Sequence, residues 1–170
     1  MGMLDEGVAL EHGVPGTHGE SLLLMSRTEM ARLQHAVMGG PGEAAWQATA
    51  RAAAHAWCRD EAEATGAEPA VVFARYLDNL ADRGWGGLEL LYCRPEDCGA
   101  GVRVYDSPFA AVPGARAPAC RIFLAWLEGA MNWACPNPDY RAVAEERRCA
   151  ASGAEACEFV VRPSVDSDDD

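Results

Sequence analysis

The sequence predicts an α+β protein in which helices pack on one face of an antiparallel sheet. Three observations lead to this prediction. The first half of the chain carries the apolar periodicity of amphipathic helices. The second half contains two pairs of short strand-like segments, each pair joined by a turn. One very apolar helix separates the two pairs, and such a helix is expected to lie buried on the sheet.

The helical segments can be placed by their periodicity and their end signals. We expect a short helix at 28–38, with Thr28 as its cap, after a strand at 21–26. An Ala-rich helix is expected at 43–65, where it ends before Gly66, and Pro69 begins the next helix. The Ala-rich helix carries one apolar stripe. The stripe consists of Trp46, Ala50, Ala53 and Trp57.

The strand-like segments form two predicted hairpins around the apolar helix. The first has strands at 85–92 and 102–105, with a turn at 94–101. The apolar helix covers 119–134 and is stopped by Pro136 and Pro138. The second hairpin has strands at 140–149 and 156–161. The whole order is helices, a hairpin, a buried helix and a hairpin.

Length and composition indicate one globular domain. The chain has 170 residues, of which 49% are hydrophobic, enough for a continuous core. Residues 1–20 are Gly-rich without sustained periodicity, so we expect a flexible arm there. Residues 21–163 form the predicted domain, and 164–170 are expected to form a disordered acidic tail.

Net charge, the lack of lysine and the lengths of the apolar runs argue against several classes of function. A net charge of −12 disfavours contact with phosphate backbones, so no nucleic-acid partner is expected. All 14 basic residues are arginine. Without lysine there is no Schiff-base lysine and no Gly-Lys phosphate loop. No apolar run approaches a membrane span and no secretory signal is visible, so we expect a cytoplasmic protein without a membrane partner.

Four residues are candidates for a metal site. Glu146, Cys149 and Cys157 lie close together in the second hairpin, and Cys120 opens the buried helix. Thiolates and a carboxylate are ligands that zinc accepts. A regular strand points residues three apart to opposite faces, so Glu146 and Cys149 can converge only if the strand bulges or turns.

The seven cysteines also allow other readings. Free cysteine often serves only as a small buried apolar residue. Cys93 and Cys98 flank a turn and are a rival candidate pair, whereas Cys58 and Cys135 are expected to be structural or to have no role. In an exported protein, Cys149 and Cys157 could instead close a disulfide loop.

The late sequence resembles the 4-vinyl reductase domain family. The resemblance covers about residues 21–163 and is carried by the order and spacing of five motifs. These are GWGGLE at 84–89, VYDSP at 104–108, Cys120 followed by LEG at 127–129, ERRC at 146–149 and GAEACEF at 153–159.

The resemblance implies a fold, a metal and a dimer. Such domains share their α+β fold with TRAPP vesicle-tethering subunits and commonly form homodimers. Related sensor domains of phenol-responsive activators hold a structural zinc with three cysteines and a glutamate. Here these ligands fall on Cys120, Glu146, Cys149 and Cys157. Four protein ligands leave no position for water, so the zinc would hold structure beside an aromatic-ligand pocket. Loss of the carboxylate ligand would reopen a catalytic role.

Three functions follow as hypotheses. The first is a stand-alone domain that binds a small hydrophobic or aromatic molecule as sensor, carrier or chaperone. The second is a tetrapyrrole accessory protein or 4-vinyl reductase in bacteriochlorophyll synthesis. Without a GxGxxG fingerprint or an iron–sulfur cysteine pattern, we do not expect reduction by this chain alone. The third is a dimeric scaffold. The candidate ligand-binding residues are Trp126, Trp133, Phe123, Tyr105, Trp85, Phe73 and Tyr76.

Overall fold

A computed structural model describes residues 14–15, 21–22, 25–112, 114–115 and 119–165. Most of the predicted arm at 1–20 lies outside the described residues, as do residues 166–170 of the predicted tail. Two short strands, β1 (Val14–Pro15) and β2 (Ser21–Leu22), pair antiparallel.

Four helices follow, at the positions that the periodicity predicts. They are α1 (Arg27–Val37), α2 (Glu43–Thr65), α3 (Pro69–Asp82) and, later, α4 (Arg121–Ala134). The cap of α1 is Ser26 rather than Thr28, because Ser26 and Glu29 form a reciprocal capping box. None of the helices that the structure describes has the length and apolarity to cross a bilayer.

The four later strands form one antiparallel sheet. They are β3 (Gly87–Arg94), β4 (Gly99–Tyr105), β5 (Tyr140–Arg148) and β6 (Cys157–Val165). Their order is β3-β4-β6-β5, so the two hairpins meet along β4 and β6. Ser164 and Val165, which the sequence assigned to the tail, form the end of β6 opposite Arg141 and Tyr140.

The helices cover one face of this sheet, which confirms the predicted α+β architecture. Phe123, Leu127 and Met131 of α4 are fully buried above Val102 and Phe159 of the strands. On the opposite face, Arg103 forms ion pairs with Glu89 and Glu158. α4 is buried on several sides because α2 packs on it from the other direction.

The buried face of α2 differs from the predicted stripe. Its buried residues are Ala50, Ala54 and Cys58, whereas Ala53 is exposed and Trp57 is only half-buried. The periodicity was centred on the large tryptophans. The helix contact instead uses small side chains, which allow α2 and α4 to approach closely.

Candidate functional site

Cys120, Glu146, Cys149 and Cys157 come together where α4 begins and the second hairpin turns. One ligand atom from each residue lies within 4.8 Å of the corresponding atoms of the others. The three cysteines are buried and Glu146 is half-buried. The structure therefore brings together all four residues that the sequence nominated.

The convergence depends on an irregularity in β5. The pairing of β5 with β6 shifts register between Glu146 and Arg148, as a β-bulge does. Cys149 then leaves the strand and caps a 3₁₀ turn, Ala150–Ser152. Glu146 and Cys149 consequently do not follow the alternation of a regular strand, and the sequence-based expectation that the strand bulges or turns between them is confirmed.

Short polar contacts hold the cluster together. The Sγ atoms of Cys120 and Cys157 lie 3.4 Å apart, and Ser107 Oγ lies 3.1 Å from Cys120 Sγ. The backbone N–H of Ala150 donates to Cys157 Sγ at 3.3 Å. The backbone N–H of Cys120 donates to Glu146 Oε2 at 3.2 Å. These contacts orient the sulfur atoms, as partners around metal ligands do.

The three thiols of the cluster differ in pKa. The pKa of Cys157 is lowered, mainly because its sulfur accepts the hydrogen bond of the Cys120 thiol. The pKa of Cys120 is raised by the same hydrogen bond and by burial. Burial also raises the pKa of Cys149 to about 11. Cys157 is therefore the first thiolate of the cluster, and a metal ion must displace protons from the other two thiols.

The donor set fits a zinc ion. Glu146 Oε1 is buried without a hydrogen-bond partner in the described part of the chain. Such an orphaned acceptor is costly, and a cation beside it would satisfy it. Three sulfurs and one carboxylate oxygen suit tetrahedral zinc, whereas magnesium and calcium prefer oxygen ligands alone.

An aromatic cluster lies near the four-donor cluster. Trp85 stacks on Phe109 with ring centroids 5.9 Å apart, and its edge meets Trp126 at 4.8 Å. Phe123 contacts Phe109, Trp126 and Phe159. Phe109 and Phe159 are absent from the ligand set predicted from sequence. Trp85 Nε1 is buried and has no hydrogen-bond partner among the described residues.

The other predicted ligand residues lie elsewhere. Tyr76 contacts Trp57 at 5.3 Å, Phe73 is fully buried in the core, and Trp133 is half-buried against it. Tyr105 points to the outer face of the sheet, where its hydroxyl donates to Glu89 at 3.1 Å. Its neighbour Val104 points inward, because side chains alternate along a strand. The structure thus brings only Trp85, Phe123 and Trp126 of the predicted set into one cluster.

A crevice of about 620 Å³ lies between α1 and the segment that leads into α4. Its described lining includes the apolar residues Ala31, Met38, Phe109 and Val112, with Arg32, His35 and Arg121 among the polar ones. None of the predicted ligand residues is among the described residues that line it.

Gln34 joins the two sides of this crevice. Its Nε2 donates to the carbonyl of Ala119 at 2.7 Å, and its Oε1 accepts the N–H of Ile122 at 3.0 Å. Both contacts flank Cys120. Sequence reasoning missed this residue, because a single glutamine in a short helix gives no signal that it is buried.

Comparison with known proteins gives a family and a fold. A family described as "Domain of unknown function (DUF5943)" matches residues 4–91, more than half of the 170 residues. No curated protein matches the chain.

Three solved structures are similar to the chain at low sequence identity, and the two with TM-scores above 0.5 share its fold. The phenol-responsive sensory domain of the transcription activator PoxR, solved with phenol, has a TM-score of 0.68 at 12% identity, covering 85% of this chain and 77% of that one. Trafficking protein particle complex subunit 3 from Naegleria fowleri, covalently bound to palmitic acid, has a TM-score of 0.51 at 12% identity. The match covers 81% of this chain and 95% of that one. A vinyl-4-reductase family protein from Methanocaldococcus jannaschii has a TM-score of 0.39 at 15% identity. The match covers 62% of this chain and 73% of that one.

Proposed function

The chain belongs to the family described as a domain of unknown function (DUF5943), and from that premise we propose that it binds a small hydrophobic or aromatic molecule beside a structural zinc ion. Two proteins that share its fold carry such molecules: the PoxR sensory domain was solved with phenol, and the trafficking subunit is covalently bound to palmitic acid. Their likeness supports the ligand class without identifying the ligand.

The position of Cys120 carries this proposal. Its sulfur belongs to the four-donor cluster, while its neighbours Ala119 and Arg121 line the crevice. Ser107 adds a second connection, because its Oγ contacts Cys120 Sγ and accepts the N–H of Phe109 at 3.3 Å. Anything that fixes Cys120 therefore also fixes part of the crevice wall.

Zinc would be held by Cys120, Glu146, Cys149 and Cys157. Its role would be to cross-link the start of α4 to the second hairpin. With four protein ligands and no water, the ion would not activate a nucleophile. The residues around it hold the wall of the crevice, and the cavity beside them binds the ligand.

The crevice has the properties of a small-molecule site. Its volume of about 620 Å³ lies within the roughly 300–1,000 Å³ that such sites occupy. Apolar side chains line it together with arginine and histidine, which suits a hydrophobic molecule with one polar end. Behind Phe109, the unpartnered indole N–H of Trp85 is a donor for which a ligand oxygen would be a partner.

The test measures metal and ligand in the same protein. Native mass spectrometry of the freshly purified chain should show one zinc per chain and any retained hydrophobic molecule. Phenol and palmitic acid, titrated into zinc-loaded protein, serve as probes through tryptophan fluorescence. Cys149→Ser should lose the zinc, melt at lower temperature and bind the probes more weakly.

Cys93→Ser is the matched control, since Cys93 is a half-buried thiol outside the cluster. It should keep both zinc and probe binding. A Cys149→Ser protein with unchanged zinc content and melting temperature contradicts the metal site. Zinc-loaded protein that binds neither probe and retains no hydrophobic molecule contradicts the ligand function and favours a scaffold. A retained pigment would favour tetrapyrrole handling.

A further inference from the structure

The lining of the crevice between α1 and the segment that leads into α4 has the opposite charge to the chain as a whole. Its described lining includes the basic residues Arg32, His35 and Arg121 and no aspartate or glutamate. The chain as a whole has 26 acidic residues against 14 arginines. Residues 107–127, which contribute one side of the lining, contain no acidic residue, although the average of the chain would place about three there. The crevice is therefore a basic site in an acidic protein.

Arg32 has no acidic partner of its own. The single acid of α1 is Glu29, and its Oε2 accepts hydrogen bonds from the N–H and the hydroxyl of Ser26 at 3.0 and 2.7 Å. Arg32 itself is exposed at the crevice and forms no ion pair in the part of the chain that the structure describes. Its guanidinium is therefore available to an anion that enters the crevice.

Arg121 has one acidic partner, at the rim of the crevice. Its Nη1 lies 3.3 Å from Oε1 of Glu43, whose Oε2 accepts the N–H of Gly39 at 2.7 Å. Ion pairs between partly exposed groups are weak. A guanidinium also has five N–H donors, and this contact involves only one of its nitrogen atoms. Arg121 can therefore bind a second carboxylate.

We propose that the ligand of the crevice is an amphipathic organic carboxylate, an inference that rests on the proposed function. Its carboxylate pairs with Arg32 and Arg121, and its apolar part lies against Ala31, Met38 and Phe109. Arginine suits this role, because its planar guanidinium can donate two parallel hydrogen bonds to one carboxylate. Organic acids of this kind are ionised at neutral pH, whereas phenols are neutral. The crevice therefore selects its ligand by charge as well as by apolar surface.

The experiment compares acids with neutral molecules of nearly the same shape. Isothermal titration calorimetry of the full zinc-loaded chain, at neutral pH and low salt, uses octanoate with octanamide and 4-butylbenzoate with 4-butylbenzamide. Zinc-loaded protein is the stringent case, because three thiolates and a carboxylate around Zn²⁺ leave a negative charge. The carboxylate of at least one pair should bind at least about fivefold more tightly than its amide. The pair that binds more tightly tells whether the acid is aliphatic or aromatic.

Substitutions of the charged residues test where the preference comes from. Arg32→Gln and Arg121→Gln should each weaken carboxylate binding about threefold and leave amide binding unchanged, and the double variant should show no preference. Arg32→Lys keeps the charge and should keep part of the preference. Glu43→Gln keeps an acceptor for the N–H of Gly39 but removes the competing charge, so it should tighten carboxylate binding about twofold.

Arg59→Gln is the matched control, because Arg59 pairs with Asp60 and is not among the described residues of the lining. It should keep the preference for the carboxylate. Equal binding of acid and amide overturns this inference and leaves the proposed function standing. A preference that survives in the Arg32→Gln, Arg121→Gln double variant also overturns it. If none of the four probes binds, this inference fails together with the proposed binding of a hydrophobic ligand.

Discussion

Gly129 of α4 lies directly against the backbone of Arg51 in α2. A Cβ atom at Gly129 would overlap the main chain of Arg51 and stand 2.9 Å from the Cβ of Ala54. The absence of a side chain therefore sets how closely α2 and α4 approach each other. Because α4 also carries Cys120 at its start, this contact helps to position the four-donor cluster.

Gly129→Ala should destabilise the protein by about 1–3 kcal/mol, although alanine is the better helix former. The clash is with backbone, which cannot move aside as a flexible side chain can. Urea unfolding measures the change. Gly42→Ala is the control, because Gly42 is exposed and its nearest neighbour would be 3.8 Å away. Equal stabilities for the two variants would contradict the close approach.

Glu128 connects three elements, and its removal should be costly. Its Oε2 accepts from Arg51 Nε at 2.5 Å, and its Oε1 accepts the backbone N–H of Ala144 at 3.1 Å. Glu128→Ala leaves that buried N–H without a partner and should cost about 3 kcal/mol. Glu128→Gln keeps an acceptor and should cost less.

The matched surface change is Asp60→Ala, which removes the acid of an exposed ion pair with Arg59. Its effect should stay within about 0.5 kcal/mol. Thermal and urea unfolding of the three variants make the comparison. A Glu128→Ala protein as stable as Asp60→Ala would show that the buried carboxylate does not hold the helices to β5.

Glu146→Gln should have opposite effects with and without zinc. In zinc-loaded protein it removes a charged ligand and should weaken zinc binding by at least about tenfold, roughly 1.4 kcal/mol. In metal-free protein it should be neutral or stabilising, because it removes a carboxylate with an unpartnered buried oxygen.

Glu145→Gln is the control for this prediction. Glu145 is exposed, outside the cluster, and paired with Arg147 and Arg162. Its substitution should change neither zinc affinity nor the sign of the stability difference. Competition with a chromophoric chelator gives the affinity, and unfolding with and without zinc gives the stability. Destabilisation by Glu146→Gln in both states would contradict a metal-ligand role.

The protein should lose stability at alkaline pH through Cys58. Burial, followed by the charge of Glu61, raises its pKa from 9.0 to about 12 in the folded state. Between these values the unfolded chain has released a proton that the folded chain retains. Stability is therefore complete below pH 9 and falls as the pH rises towards 12, by up to about 1.4 kcal/mol per pH unit.

Cys58→Ala should remove this part of the slope. Urea unfolding of both proteins between pH 8 and about 10.5, with a reductant present, measures it. A residual slope is expected, because burial also raises the pKa of Tyr76. An unchanged slope in Cys58→Ala would mean that Cys58 ionises equally in both states.

The sequence by itself determined the elements and the identity of the four candidate ligands. The bounds of α2 follow from an Ala-rich run that ends at glycine, and the two hairpins follow from alternation and turn residues. The need for a bulge between Glu146 and Cys149 follows from strand geometry alone. These features depend on neighbours within one element or one hairpin, which a linear pattern records.

Tertiary structure decided which elements meet and through which faces. Large tryptophans dominate the pattern of α2, yet it packs through Ala54 against Gly129. The two hydrogen bonds of Gln34 beside Cys120 join residues at least 85 positions apart. Such pairs arise only when the strands take the order β3-β4-β6-β5 and α4 lies between the sheet and α2. Packing between distant segments has no local signature, so it appears only in three dimensions.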